Sequence, residues 1–192
     1  MTTSAAPRTG ARERLLAAAN ELFYAEGIHT VGIDRIIERA GVAKASLYNT
    51  FGSKDELIVA YLRSRQVRNE ARITGMIDRY DDPRARLLAV FEAQGEMFAD
   101  PAYRGCAFVN ANAEAERGGV VDQASGEYRR WLRSVLVELA RAAGVRDAEG
   151  LAQRLQLLYD GAMLAARMDG ETGASNTARE AAEIMLDAAL AG

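Results

Sequence analysis

The chain predicts an all-α fold, and three observations carry that prediction. Apolar residues recur three and four apart in one segment after another, capping signals open the segments, and glycines close them. The 192 residues suffice for one ordinary domain or for two small helical ones that share a helix, and a hydrophobic content of 49% is that of a globular chain.

Met1–Arg8 is small and polar, contains Pro7, and reads as a mobile tail. From Thr9 to Glu26 the set Leu15, Leu16, Ala19, Leu22 and Phe23 makes an amphipathic helix, which Gly27 ends. His29 and Thr30 fall in the loop that follows, where His29 reads as an exposed loop residue or as a group that titrates near neutral pH.

The stretch Ile33 to Glu56, IDRIIERAGVAKASLYNTFGSKDE, organises the rest. Ile33, Ile36, Ile37 and Ala40 form one buried stripe of a short helix, and Asp34, Arg35, Glu38 and Arg39 lie on its wet side. Gly41 stands where the chain must turn sharply and where a residue free to take positive φ avoids a steric cost. A second short helix runs from Lys44 to about Thr50. Val42, Leu47 and Phe51 point inward; Lys44, Ala45, Tyr48 and Asn49 point outward. Ser53 to Glu56 matches a capping box that opens a third helix at Lys54. Helix, glycine turn, helix is the pattern whose second helix enters the major groove of DNA, and it is also the pattern of a helical hairpin within any all-α core. A cation, a small residue, a phenol and an amide on one face suit the reading of base edges.

The helix from Lys54 passes Tyr61, Leu62 and Ile73 toward Tyr80, long enough to connect the first part of the chain with the second. Asp82-Pro83 caps the next, Arg84 to Ala99, which carries Leu87, Leu88, Phe91, Met97 and Phe98. A further helix is expected over Arg104–Ala115. Gly118-Gly119 breaks the chain before a long helix, Val120 to Ala143, with Tyr128, Trp131, Leu132, Val135, Leu136 and Leu139. Asp147 caps a helix running to Met168, and Thr177 to Glu180 forms a second capping box opening Ala178–Leu190. These last two helices are rich in small and branched apolar residues, and they present more apolar surface than one small domain needs.

Composition excludes several functions. No apolar run approaches the roughly 18 residues that span a bilayer, and Met1–Gly10 lacks the apolar core of a signal peptide, so no membrane partner is expected and the cytoplasm is the expected location. One cysteine, Cys106, and one histidine leave no disulfide framework and no metal cluster, and no cofactor is expected. With no Gly-rich phosphate loop and no nucleophile–base pair close in sequence, an enzyme is disfavoured. The net charge of −3 is unevenly spread: residues 1–65 hold nine basic and seven acidic side chains, residues 66–192 fifteen and twenty. The acid sits away from the helix-turn-helix.

LLAAANELFYAEG (15–27) with GIDRIIERAGVAKASLYNTFGSKDEL (32–57) strongly resembles the N-terminal domain of tetracycline-repressor (TetR) family transcriptional regulators. The resemblance implies a three-helix DNA-binding head with a helix-turn-helix, linked by a long helix to a C-terminal helical ligand-binding and dimerisation domain. The implied boundaries are 1–53 and 54–192. It implies double-stranded operator DNA as partner, read by the segment Lys44, Ala45, Ser46, Tyr48, Asn49 and Thr50, with Lys54 on a phosphate. The chain departs from many members at Ala43, where they carry Ser or Thr, and at Asn49-Thr50, where they carry an aromatic and a histidine. Val31-Gly32 stands where members place a hydroxyl, which makes Thr30 the nearest substitute. Arg8 would be placed to enter a minor groove.

The family also implies a homodimer through its last two helices, here assigned to Leu151, Leu155, Leu158, Ala162, Ala165, Ala181, Ile184, Met185 and Ala188. A two-fold dimer follows independently from DNA reading, since one short helix covers too few base pairs. Family habit further implies repression relieved by an apolar or amphipathic effector between the middle helices. Phe91, Met97, Phe98, Cys106, Asn110, Tyr128, Trp131, Tyr159 and Met163 are the candidate lining, with Gln94 a further polar handle; spacing alone reads the same set as plain core, and the resemblance turns it toward a pocket. Cys106, near Arg104 and a helix start, is either a thiol sensor or a small buried hydrophobe.

Overall fold

The computed structural model describes residues 10–170 and 172–191. Met1–Arg8, and with it the reading of Arg8 as a minor-groove contact, lies outside them. The described residues hold nine helices and no strand: α1 (Ala11–Glu26), α2 (Ile33–Ala40), α3 (Lys44–Phe51), α4 (Lys54–Ile77), α5 (Pro83–Phe98), α6 (Ala107–Glu114), α7 (Val120–Ala142), α8 (Ala148–Asp169) and α9 (Ala174–Ala191).

Local chemistry sets most of the boundaries. Gly41 turns the chain with φ of 61° and its N–H donates to Glu38 O at 3.1 Å, closing α2 in the left-handed region that a glycine enters without penalty. Ser53 Oγ accepts the Glu56 N–H at 3.1 Å and starts α4. Asp82 does the same for α5 through Ala85 N–H at 2.9 Å, and Asp147 for α8 through Gly150 N–H at 3.0 Å.

Two starts differ from the sequence pattern. α6 begins at Ala107 rather than Arg104, because Gly105 has φ of 91° and the Arg104 N–H is given to Tyr24 Oη. α9 begins at Ala174, so Thr177 is inside its first turn and is not its cap. Burial explains the gain: Ala174 and Ser175 pack into the body, and Asn176 N–H and Thr177 N–H both reach Gly173 O.

Packing follows from the apolar faces. α1 lies on α2 and α4, α3 rests against α1, and α4 runs from this head into the body, where α5 and α7 pack on it. The body closes through α5 on α9, α7 on α8 and α8 on α9. One apolar cluster joins Leu15, Phe23, Ile36, Leu47, Leu57, Tyr61 and Leu62 of the head with Phe108, Ala111, Val121 and Tyr128 of α6 and α7. A second joins Leu87, Phe91, Leu132, Leu136, Leu151, Leu155, Tyr159, Ala182 and Leu186. Cys106 and Trp131 pack against both clusters, so they stand where head and body meet.

Candidate nucleic-acid interface and ligand-binding region

α3 presents the outward face that its pattern predicts. Leu47 is fully buried against the head, and Lys44, Ala45, Tyr48 and Asn49 are exposed on the opposite side. For a phenol on a small domain Tyr48 is notably open, at 45%. Ser46 and Thr50 are half-buried, and Thr50 Oγ donates back to Ser46 O at 2.6 Å, which turns its hydroxyl along the helix. Ala43 occupies the N-cap without a side-chain bond, which leaves N–H groups at the head of α3 free for an acceptor. Lys44 Nζ sits 2.9 Å from Asp34 Oδ1 in an exposed pair that ties α3 to α2 and raises the ammonium pKa. Such a pair is weak in water and yields readily to a competing phosphate or base. Lys54 is the first residue of α4 and borders a groove of about 430 Å³ shared with Ile28, His29, Glu116 and Val121. Thr30 and His29 are exposed in the turn between α1 and α2.

The body contains the aromatic set as packed core. Phe91, Phe98, Tyr128, Tyr159 and Met163 are buried; Met97 and Trp131 are partly so. Phe108 stacks on Tyr128 at 4.3 Å between centroids, Trp131 lies 6.0 Å from Tyr128, and Phe91 lies 6.3 Å from Tyr159. Burial pushes the Tyr159 phenol up to about 12 and that of Tyr128 well above its ordinary range.

Asn110 departs from the expected inward role. It is exposed, its Nδ2 donates to Arg104 O at 3.0 Å, and with Cys106, Met163 and Leu164 it lines a surface cleft of about 70 Å³ between α6 and α8. Cys106 opens onto this cleft but is ringed by protein. Burial pushes its thiol up, against the weaker pull of the Val109 and Phe108 N–H groups, so the helix start does not activate it.

The residues assigned to the dimer face divide by burial. Leu151, Leu155 and Ala162 are buried in their own chain, and Leu158, Ala165 and Met185 are partly buried against the same core. Ala181 is half-buried, and Ile184 and Ala188 are exposed. The open apolar stripe of α8 is instead Leu157, Gly161, Leu164 and Met168, beside Ile184 of α9. α8 is apolar on two faces, and spacing alone does not say which one the chain itself covers.

Two contacts between head and body carry no local signal in the sequence. Tyr24 Oη donates to Gly105 O at 2.9 Å, and the Glu114 carboxylate accepts the His29 N–H at 2.7 Å.

Residues 15–61 match the profile of bacterial regulatory proteins of the tetR family, and residues 83–182 match that of the tetracyclin repressor-like C-terminal domain. The chain belongs to the TetR family. It is therefore a DNA-binding transcriptional regulator and not an enzyme. Over 87 residues it is 40% identical to the HTH-type transcriptional activator FasR of Mycolicibacterium smegmatis, covering 45% of this chain and 40% of FasR. Over 155 residues it is 30% identical to the HTH-type transcriptional regulator BetI of Rhizobium meliloti, covering 78% of this chain and 74% of BetI. The chain thus spans less than half of FasR and about three quarters of BetI. A TetR-family regulator of Streptomyces coelicolor has the same fold, with a TM-score of 0.88, 36% identity, and coverage of 94% of this chain and 96% of that one. Members of the TetR family bind DNA and act as dimers. Among the described residues no helix is long and apolar enough to cross a membrane.

Proposed function

We propose that this chain works as a homodimer that grips a palindromic operator with two heads and represses transcription until a small apolar or amphipathic effector enters the body. One observation carries the reading: Lys44, Ala45, Tyr48 and Asn49 stand exposed together on α3, with Lys54 at the start of the next helix. The ammonium and amide suit base edges, the Ala45 methyl suits a thymine methyl, and Lys54 and Thr30 suit phosphates.

The dimer rests on a second observation. Leu157, Leu164 and Met168 are 66%, 58% and 74% exposed, and Ile184 is 70% exposed. A row of large apolar side chains in water calls for a cover, and a second copy across a two-fold axis supplies the same row in return. Gly161 within the row lets the helices approach closely.

Release follows from differential affinity. An effector that favours a body conformation whose heads are wrongly spaced lowers operator affinity by the ratio of its own affinities for the two states. The reading divides the chain at residue 54, with the first turns of α4 also serving the head: Leu57, Ile58, Tyr61 and Leu62 belong to the head's apolar cluster. The reading implies the cytoplasm, where the operator is. Activation is the second reading, favoured by the likeness to FasR.

Nuclease footprinting on the DNA upstream of the chain's own gene tests the proposal. Two protected half-sites, related by a two-fold axis and centred about one helical turn or a multiple apart, are expected. Protection of a single half-site would rule out the symmetric dimer, and a reporter that falls or rises on expression separates repression from activation.

A further inference from the structure

α3 carries one charged side chain, Lys44, and that charge is matched from the neighbouring helix. Lys44 Nζ stands 2.9 Å from Asp34 Oδ1, and the two side chains are 56% and 80% exposed, so the pair lies open to whatever meets the outward face of α3. Tyr48 follows Lys44 one turn along that face.

The placement of the cation explains the need for the carboxylate. Lys44 is the first residue of α3, at the positive end of the helix dipole, and Ala43 brings no side-chain acceptor to the N–H groups beside it. Asp34, in the first turn of α2, supplies the negative charge this corner lacks. The other ion pairs of α2, Arg35 with Glu26 and Arg39 with Glu21, reach back to α1, so Asp34 is the carboxylate that ties α2 to α3.

The pair acts differently on two classes of DNA contact. An ammonium has three N–H donors and no acceptor; Asp34 holds one and leaves the others for an acceptor on a base edge. A lysine already held on one side gives up less rotamer freedom when it meets that base. A backbone phosphate draws the ammonium off its carboxylate and brings a second negative charge toward Asp34. Because the pair is exposed and weak, the discrimination is several-fold and not all-or-none.

We infer that Asp34 is a positioning residue for DNA reading: it holds the Lys44 ammonium toward base edges and withholds it from phosphates, which raises the ratio of operator to non-specific affinity. This inference rests on α3 being the reading helix of the proposed function. It goes beyond that reading by assigning discrimination to a residue of α2.

Wild type, Asp34→Asn, Lys44→Ala and the double variant, each as the full chain with its melting temperature recorded, are titrated by fluorescence anisotropy over a series of salt concentrations. The probes are the duplex flanking the chain's own gene and a scrambled duplex of the same length and composition. At about 0.1 M salt Asp34→Asn should bind the scrambled duplex about three- to ten-fold more tightly, and the slope of log affinity against log salt should steepen by about one, because Lys44 is then free to neutralise a phosphate. Affinity for the flanking duplex should change less, so the ratio of the two falls. In the Lys44→Ala background the same substitution should leave the slope unchanged. A merely structural role for Asp34 would lower the melting temperature and leave the slope as it is. That result, equal tightening on both duplexes, or the same steepening without Lys44 would each overturn the inference. A wild type that does not prefer the flanking duplex contradicts the operator reading, and the slopes on the scrambled duplex still judge the hold of Asp34 on Lys44.

Discussion

Tyr24 and Gly105, 81 positions apart, are joined by a hydrogen bond of 2.9 Å from the phenol to the carbonyl, and the same phenol oxygen accepts the Arg104 N–H at 2.9 Å. The ring also carries the Arg65 guanidinium 3.7 Å from its centroid. One side chain of α1 thus holds the approach to α6 at its tip and α4 on its face. Glu114 fastens the other end of α6, accepting His29 N–H and filling the space where a side chain at Gly27 would stand. α4 reads from sequence as the connecting rod; α6 is a second one, pinned to the head at both ends, with the α6–α8 cleft along its body side.

Tyr24→Phe removes both bonds while keeping the ring. Stability should fall by about 1–3 kcal/mol, the cost of leaving the part-buried Gly105 carbonyl unpaired, while water takes over the exposed Arg104 N–H. Urea unfolding checks this. Operator affinity without effector should change less than the effector's power to reduce it, because the substitution loosens the coupling and leaves α3 intact. Unchanged stability would show that water replaces the phenol without loss.

In the head, Lys54→Ala should weaken binding to all duplexes alike and reduce the slope of log affinity against log salt by about one, as loss of a single phosphate contact does. Lys44→Ala should instead relax preference at one position of each half-site by roughly 1–3 kcal/mol. Competition binding over a set of single-base operator variants separates the two. A sequence-selective loss at Lys54, or an unaltered preference at Lys44, would remove that residue from its role.

The buried and open faces of α8 give opposite outcomes. Leu155→Ala, at a side chain with no exposure, should cost about 2–5 kcal/mol of fold stability. Leu164→Glu, at one 58% exposed, should leave the monomer folded and shift sedimentation from dimer to monomer. A Leu164→Glu chain that still sediments as a dimer would move the interface elsewhere.

Stability should fall at alkaline pH. Burial pushes the phenols of Tyr61 and Tyr159 up to about 12, against an ordinary value of 10.0 in the unfolded chain. The unfolded state therefore ionises first. Stability is fully present below about pH 10 and is lost as pH rises from there toward 12, by a total on the order of 3 kcal/mol for each phenol. Urea midpoints from neutral pH upward should be flat and then drop; a midpoint that holds through this window would contradict the assignment.

What the sequence displays is what depends on near neighbours. The turn at Gly41, the caps at Ser53, Asp82 and Asp147, and the split of α3 into Leu47 within and Tyr48 outside need only a few residues of context, and each is found as expected. Thr177 misleads because burial of Ala174 and Ser175 outweighs a local cap. The open stripe of α8 hides behind its inner one, since Leu151, Leu155 and Leu158 recur four and three apart just as Leu157, Gly161, Leu164 and Met168 do. The Glu114 contact with His29 spans 85 positions, and no pattern of spacing or composition marks it. Cys106 shows a third limit: its helix start is legible, but the burial that overrides it is not.

The central claim, sequence-specific DNA reading by α3, is tested most directly by fluorescence anisotropy of the full chain against labelled duplex flanking its own gene, in excess non-specific competitor, with Tyr48→Ala alongside. The account predicts saturable, salt-dependent binding by the wild type that the variant loses. Weak and equal binding of both proteins to the flanking duplex and to the competitor would contradict it.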